Sequence, residues 1–291
     1  MRPVILFRPP DHPDSSEEEA AAACFPLVRD RAAVAPGDLV IGRYSVLPFY
    51  GALVAELARR GAVLVNSVEE HAFIGDVMAW APLLGAELTP RTWERVEELP
   101  DDGTAFVVKG QTNSRKDRWN SHMFAPTRGE AIAVAARLRE DALFRAQRIY
   151  FRAYEPLRRL ATAENGLPIA DEHRFFLLDG RVLSAGYYWS NHANELPVVP
   201  APRDVHARAV EAAVARLRAA GVLPRFLVVD VATREDGSAM VVELNDAQMS
   251  GLAGNAPGVL YPEPAGRARL PVLAVPVILF TRPASRPTPS R

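Results

Sequence analysis

The feature that most constrains the fold is a predicted β-hairpin in the last quarter of the chain. Its two strands, Phe226–Ala232 and Ala239–Leu244, are almost entirely apolar and are joined by a turn at Arg234–Ser238. Side chains of a strand alternate between two faces, so runs with this many apolar residues must be covered by other parts of the protein. The pattern therefore predicts a strand pair built into a larger sheet, not an exposed ribbon.

Three polar side chains interrupt these apolar strands. Alternation places Glu243 and Asn245 on one face of the hairpin. With the turn centred near Asp236, Asp230 lies roughly opposite Glu243. Directly opposed side chains are about 5 Å apart, and two carboxylates that close repel each other unless a cation lies between them. Oxygen ligands of this kind suit Mg²⁺, so we predict a magnesium site; the alternative is a solvent-facing hairpin with ordinary charges.

The lysines are the second unusual feature. The chain has 34 basic residues, and only Lys109 and Lys116 are lysines. They lie at the end of a predicted strand and in the polar loop that follows it, which has neither the Walker nor the Rossmann glycine pattern. A compact ammonium can reach one phosphate oxygen as a point charge. With the acidic hairpin, the lysines predict a nucleotide-phosphate site; the alternative is a chance cluster on a solvated loop.

Composition narrows the class of protein. The 291 residues are 48% hydrophobic and 24% charged, which is ordinary for a globular protein with a sizeable core. A net charge of −1 suggests neither a nucleic-acid nor a membrane partner. Cys24 is the single cysteine, so an intrachain disulfide is impossible. No secretory signal or membrane-length apolar run is visible, and we expect a cytoplasmic protein.

The first hundred residues alternate between strand and helix patterns, which predicts a small parallel α/β layer. A Ser-x-x-Glu capping box at Ser67 and Glu70 marks the start of the second helix. The predicted strands are Val4–Phe7, Asp38–Tyr44 and Ala62–Val65, and the predicted helices are Phe49–Arg60 and Ser67–Leu84.

The rest of the chain reads as a mixture of helices and antiparallel strands, so the fold class expected for the whole is α/β with an α+β remainder. An Asp-Gly turn at residues 179–180 predicts a further hairpin. The predicted elements before the metal hairpin are strand Thr104–Lys109, helix Gly129–Arg148, strand Ile149–Tyr154, hairpin strands Arg174–Leu178 and Arg181–Ser184, and helix Val205–Ala220.

The order of these parts resembles the ATP-grasp superfamily over about residues 62 to 255. The segment VLVNSVEEHAFIGDVMAWAPLLGAELTPRTW is similar to the lead-in from a pre-grasp domain, AFVVKG to the strand that ends in the ATP-phosphate lysine, and RIYFRAYEPL to the adenine linker. DEHRFFLLDGRVLSAGYYW resembles the strand pair with an arginine near the γ-phosphate, and VVDVATREDGSAMVVELNDAQMSGL the metal hairpin. Each motif alone is weak, but their order and spacing are specific.

The resemblance implies roles for particular residues. It makes Lys109 the phosphate lysine and places Arg174 near the γ-phosphate and acyl phosphate. Many members carry another ATP lysine on the helix that here contains Asp76–Leu84, which has none; Lys116 is implied to replace it, as in a minor clade with a second loop lysine. The implied adenine contacts are Ala153, Tyr154 and Glu155, and the implied metal ligands are Asp230, Glu243 and Asn245.

The same resemblance implies an ATP-grasp fold in three parts. We expect a pre-grasp α/β domain over residues 1–100, an N-terminal ATP-grasp subdomain over 101–155 and a C-terminal subdomain with the metal hairpin over 156–281. The Pro/Ser/Arg-rich residues 282–291 are expected to form a disordered tail.

The implied activity is that of an ATP- and Mg²⁺-dependent ligase. Such enzymes phosphorylate a carboxylate and let an amine displace the phosphate, without needing a catalytic base because a neutral amine can attack directly. A phosphotransferase and a nucleotide-binding module without turnover are the alternatives. The expected partners are a small-molecule or peptide carboxylate and an amine, and a homodimer is left open. Arg43, at a strand end, and Ser250 and Gly251, after the metal hairpin, are candidate substrate contacts.

Overall fold

Four β-sheets organise the part of the chain that the computed structural model describes, residues 1–7 and 16–261. The expected tail at 282–291 and the end of the expected last domain lie outside these residues. Within the described ranges, no helix is long and apolar enough to cross a membrane.

The first sheet is parallel, with strand order β2-β1-β3-β4. The parallel α/β layer expected for the first part of the chain is therefore confirmed. Helix α2 packs on this sheet through Leu53 and Leu57, which are completely buried. The elements are β1 (Arg2–Leu6), α1 (Ser16–Cys24), β2 (Leu27–Val28), β3 (Asp38–Gly42), α2 (Tyr50–Arg59) and β4 (Val63–Leu64).

The helix predicted over 67–84 is in fact two helices, α3 (Val68–Ile74) and α4 (Val77–Leu84). The predicted capping box is present at the start of α3. Helix α3 ends at Gly75, and the side chain of Asp76 then accepts a hydrogen bond from Met78 N, which caps a new helix. The prediction of one continuous helix was wrong because an apolar period continues across an Asp that serves as an N-cap.

The second sheet is antiparallel, with strand order β5-β8-β6-β7, and helix α6 packs against it. The predicted helix to Arg148 was too long, because Asp141 adopts an extended conformation and its side chain accepts from Leu143 N. The elements are β5 (Thr92–Trp93), β6 (Phe106–Gly110), α5 (Trp119–His122), β7 (Phe124–Ala125), α6 (Arg128–Glu140) and β8 (Ile149–Ala153).

The third sheet is also antiparallel, with order β12-β11-β13-β14, and it contains both predicted hairpins. Asp179 and Gly180 both have positive φ, as the tight Asp-Gly turn requires. A separate strand pair precedes this sheet. The elements are β9 (Arg159–Thr162), β10 (Pro168–Ala170), β11 (Glu172–Leu178), β12 (Arg181–Tyr187), α7 (Asp204–Ala219), β13 (Phe226–Thr233), β14 (Ala239–Asp246) and α8 (Pro257–Leu260).

One asparagine joins the first and third sheets. Asn66 follows β4, and its side chain accepts from Phe226 N at 2.8 Å and donates to Phe226 O at 2.7 Å. It also donates to the Asp246 carboxylate at 2.9 Å. A buried amide that satisfies three partners ties the end of β14 to the edge of the parallel sheet.

A buried polar cluster supports the third sheet from the side of α7. His206 Nδ1 accepts from Arg203 N at 3.0 Å, while Nε2 lies 2.7 Å from Thr233 Oγ1. Thr233 Oγ1 in turn donates to Asp171 at 2.9 Å. Asp171, His173 and His206 are close enough to share a metal ion, but Asp171 already accepts from Arg203 and Thr233. The contacts are those of a structural network.

This cluster predicts acid sensitivity of the fold. Burial, and then His173, lower the pKa of His206 from 6.5 to about 4. Between about pH 6.5 and pH 4 the unfolded chain therefore binds a proton at His206 that the folded protein does not bind. The free energy of unfolding falls as the pH drops through this window. The full loss is about 3 kcal/mol, since one pKa unit is about 1.4 kcal/mol.

Urea unfolding of the wild type and of His206→Gln at about pH 7 and about pH 5 measures the effect. A glutamine can keep both hydrogen bonds without titrating, so the variant should lose less stability on acidification. Equal losses in the two proteins would contradict this assignment.

Candidate functional site

Two cavities meet between the second and third sheets. The larger is about 640 Å³ and the smaller about 250 Å³. Five residues line both of them: Lys109, Ser114, Lys116, Arg152 and Glu243. We call this shared wall the junction. It holds three cations and one carboxylate, which is an arrangement that attracts an anionic group spanning the two cavities.

The smaller cavity has an apolar wall. Val107 lies on one side and Met240 and Val242 lie on the other. The predicted linker residues Ala153, Tyr154 and Glu155 also line it.

Two of the three backbone N–H groups of this linker already form hydrogen bonds within the protein. Ala153 N donates to Arg91 O and Tyr154 N donates to Ala105 O, both at 2.8 Å. Glu155 N has no hydrogen-bond acceptor in the described part of the chain. Of the three residues predicted to contact adenine, Glu155 is thus the one with a free backbone donor.

Lys109 connects the two sheets. It lies near the end of β6 on the face opposite the buried Phe106 and Val108, so its ammonium extends out of the core of the second sheet. It donates a hydrogen bond to Glu243 of β14. Burial alone would raise the pKa of Glu243, but the charge and hydrogen bond of Lys109 outweigh it and lower this pKa to about 2. Glu243 is therefore a carboxylate at any pH near neutrality.

The predicted register of the metal hairpin is confirmed, because Asp230 pairs directly with Glu243 across β13 and β14. Each carboxylate has a cation of the protein beside it. Arg174 donates to both oxygens of Asp230 at 2.8 Å, and Asn245 Nδ2 donates to one of them at 3.1 Å. Burial opposes the charge on Arg174, but Asp230 keeps the pKa of its guanidinium above the ordinary value.

The predicted metal ligands form an oxygen-rich set that fits a small hard cation. Glu243 and Asn245 line the larger cavity beside Lys109. Asp230 is only 1% exposed and lies behind them, with its oxygens occupied by Arg174 and Asn245. The residues present could therefore hold Mg²⁺ through Glu243 and Asn245, and Asp230 becomes available where Arg174 moves away.

Lys116 is not a solvated loop charge. Its ammonium lies 2.5 Å from the Tyr188 hydroxyl and 4.4 and 4.8 Å from the ring centres of Tyr188 and Trp189. Such cation–π contacts hold a lysine in place against aromatic faces. Asn165 donates to the carbonyl of Lys116 at 2.7 Å, which anchors the loop. The structure thus brings the two lysines to one wall, as the phosphate-site hypothesis requires.

Sequence reasoning missed two residues of the site. Arg152 lies on β8, bonds to Val242 O and Thr89 Oγ1, and stacks 5.6 Å above the ring centre of Trp80 on α4. Burial lowers its pKa to about 10. It supplies a third cation beside the helix that lacks the usual lysine. In a chain this rich in arginine, nothing in the local sequence distinguishes it.

Glu172, the second missed residue, begins β11 and lines the smaller cavity. Its side chain forms no hydrogen bond within the described ranges, although the residue is only 4% exposed. Burial raises the pKa of Glu172 to about 7, even though the nearby Lys116 opposes this shift. A buried carboxyl without a hydrogen-bond partner on the wall of a cavity is a position for a ligand donor.

The three candidate substrate contacts divide into two groups. Arg43 donates to Glu17 at 2.6 Å, to Ser250 O at 2.9 Å and to Ala247 O, and it lines neither cavity. Its contacts are those of a brace for the segment after β14 and do not support the predicted hold on a substrate carboxylate. Ser250 and Gly251 do line the larger cavity, and Gly251 O accepts from Arg174 at 2.9 Å.

Two facing antiparallel sheets with a cationic junction and an acidic hairpin define the ATP-grasp class of fold. The chain belongs to the ATP-grasp superfamily, since residues 98–263 match the family described as ATP-grasp domain, R2K clade family 3. No curated protein is similar enough in sequence to count as a match.

Solved structures confirm the fold. The chain is similar to D-cycloserine synthetase DcsG, with 16% identity, a TM-score of 0.56, and coverage of 89% of this chain and 96% of that one. A RimK domain ATP-grasp protein from Sphaerobacter thermophilus is 18% identical, with a TM-score of 0.53 and coverage of 89% of this chain and 98% of that one. D-alanine–D-alanine ligase from Bacillus anthracis complexed with ATP is 14% identical, with a TM-score of 0.52 and coverage of 85% of this chain and 86% of that one. At these identities the likeness concerns the fold alone.

Proposed function

We propose that this protein is an ATP-dependent ligase that joins a carboxylate to an amine through an acyl phosphate and releases ADP and phosphate. The observation that carries the proposal is the junction, where Lys109 of the second sheet meets Glu243 of the third. Cations and a carboxylate between an apolar cavity and a polar one match the parts of ATP and its metal. Adenine occupies the smaller cavity, and the triphosphate crosses the junction into the larger one.

Residues of the junction have distinct roles in this proposal. Lys109, Lys116 and Arg152 neutralise phosphate oxygens, and Glu243, Asn245 and Asp230 hold Mg²⁺. When bound, the metal neutralises charge that develops on the phosphates.

In the smaller cavity, two groups are free to bind the nucleoside. Glu155 offers its backbone N–H to adenine, and Glu172 accepts from a hydroxyl group of the ligand.

The larger cavity provides the space for the reaction. An oxygen of the substrate carboxylate attacks the γ-phosphorus, ADP leaves, and the amine then displaces phosphate from the acyl carbon. Arg174 lines this cavity and stacks 4.9 Å from the Tyr188 ring centre, which places its charge beside the transferring phosphoryl group. Catalysis of this type depends on positioning and on fixed charges.

The similar proteins support a small-molecule or peptide substrate. D-alanine–D-alanine ligase and D-cycloserine synthetase carry names of reactions that build small amino-acid derivatives. The same fold with a cavity of about 640 Å³ beside the phosphates leaves room for a substrate of that size.

Product analysis tests the proposal. With ATP, Mg²⁺ and a panel of amino acids as carboxylates and amines, the protein should release ADP and phosphate in equal amounts and form an amide. Chelation with EDTA should abolish turnover, and added Mg²⁺ should restore it. AMP with pyrophosphate, or ADP without phosphate, would contradict a ligase. A stable phosphorylated product without any amine would indicate the phosphotransferase, and ATP binding without hydrolysis a binding module.

A further inference from the structure

A histidine with one committed and one free nitrogen lies in the larger cavity. His71 Nδ1 is 3.0 Å from Asp246 Oδ2, and the ring stacks on Tyr50 with 3.9 Å between centroids and 4° between planes. Nε2 has no hydrogen-bond partner in residues 1–7 or 16–261, and the side chain lines the cavity with 14% of its surface exposed. The ring is thus held on one edge and one face, and its free nitrogen is open to the cavity.

The partner carboxylate is well held. Asp246 accepts from Asn66 Nδ2 at 2.9 Å and from Gln248 N at 3.0 Å, and its side chain is only 3% exposed. A carboxylate that faces Nδ1 fixes the proton of a neutral imidazole on that nitrogen. Nε2 then carries the lone pair, so it can accept a proton from a ligand.

Contacts at its first turn also fix the helix that carries His71 in position. The capping box at Ser67 and Glu70 fixes the first turn of α3, and Glu70 also accepts from Arg225 N at 3.0 Å. Asp246 directly follows Asn245, the proposed metal ligand, on β14. The dyad of His71 and Asp246 therefore lies on rigid elements, next to the place where the proposed reaction occurs.

We propose that His71 Nε2 takes a proton from the amine acceptor, which is an aliphatic amine that arrives as its ammonium form. This inference rests on the proposed ligase function. It differs from the expectation that no base is needed, because an ammonium has no lone pair with which to attack. Asp246 is a positioning residue, which orients the ring and stabilises the imidazolium.

The step balances as follows. The ammonium gives one proton to Nε2, and the freed nitrogen lone pair forms the C–N bond with the acyl carbon. The C–O bond to phosphate breaks, and its electron pair leaves on the phosphate oxygen. A second proton passes from nitrogen to the departing phosphate, the third remains on the amide, and His71 returns its proton to solvent.

Hydroxylamine separates this role from a structural one, since it is a neutral nucleophile near pH 7 and needs no base. Each proteinogenic amino acid is first offered to the wild type as carboxylate with ATP, Mg²⁺ and hydroxylamine, and hydroxamate is measured. The best donor is then paired with the same amino acids as amines. His71→Gln should lower kcat for the amine reaction about 100-fold and leave hydroxamate formation within about 3-fold of wild type.

Glu69→Gln, on the exposed side of the same helix, is the matched control and should leave both reactions unchanged. Retained hydroxamate formation shows that His71→Gln is folded and still makes the acyl phosphate. Equal loss of both reactions, or loss of neither, would overturn the role of His71. A wild type that forms no hydroxamate and releases no carboxylate-dependent ADP would overturn the proposed function itself, and this inference with it.

Discussion

Replacing Lys109 by methionine is expected to lower kcat/KM for ATP, measured as carboxylate-dependent ADP release, about 1000-fold. Lys109 lies near the end of a buried strand and directs its ammonium to the junction between the two cavities. Methionine keeps the apolar stem, so the change removes chiefly the charge that would face a phosphate oxygen. Steady-state ADP release over a range of ATP concentrations, with saturating donor and acceptor, measures the effect. A loss smaller than about tenfold would contradict the assignment.

A double variant separates the catalytic from the structural part of this loss. In Lys109→Met the Glu243 carboxylate loses its partner, and the fold should lose about 2 kcal/mol of stability. Lys109→Met/Glu243→Gln removes the unpaired charge, so urea unfolding should show recovered stability. Activity should remain as low as in the single variant or fall further, because Glu243 is a proposed metal ligand. Recovery of activity together with stability would mean that the pair is only structural.

Replacing Lys116 by alanine is expected to lower kcat/KM for ATP about 100-fold. The helix that usually supplies a second ATP lysine has none here, and Lys116 is held at the junction by Tyr188 and Trp189. Lys116→Arg should recover only part of the loss, because a planar guanidinium does not fit the same position between two aromatic rings. Initial rates over a range of ATP concentrations measure both variants.

The matched control is Arg118→Ala, which removes a positive charge from the same loop at an exposed position. It should stay within about twofold of wild type, since exposed charges are screened by solvent and salt. If Lys116→Ala behaved like Arg118→Ala, Lys116 would not contact ATP, and the third cation, Arg152, would carry that role alone.

Several features of this fold follow from sequence because they depend on local rules. The opposition of Asp230 and Glu243 needs only strand alternation and the length of one turn, and the register agrees. The capping box at Ser67 likewise depends on residues three positions apart. Strand β6, with a lysine near its end, is a third example, since an apolar run that leads into a polar loop is recognisable without tertiary information.

Other features depend on contacts between distant residues. The break at Gly75 occurs because Asp76 caps a new helix and also bonds to Tyr150 on β8 and to Arg148 just before that strand. Arg152 joins the site only because β8 lies beside β6 and below α4. His71 acquires its orientation from Asp246, which is 175 residues away along the chain. Residue type and spacing carry no signal for such pairs.

The pairing of Arg174 with Asp230, and of Lys109 with Glu243, means that the protein carries its own counterions. In the proposed function, nucleotide and metal would not enter a bare negative site, because side chains of the protein already neutralise its carboxylates. If Glu243 and Asp230 held the metal, Lys109 and Arg174 would be free to contact the phosphates. We expect this exchange of partners to make the metal bind weakly alone and tightly with ATP, which delays assembly of the reactive centre until both have arrived.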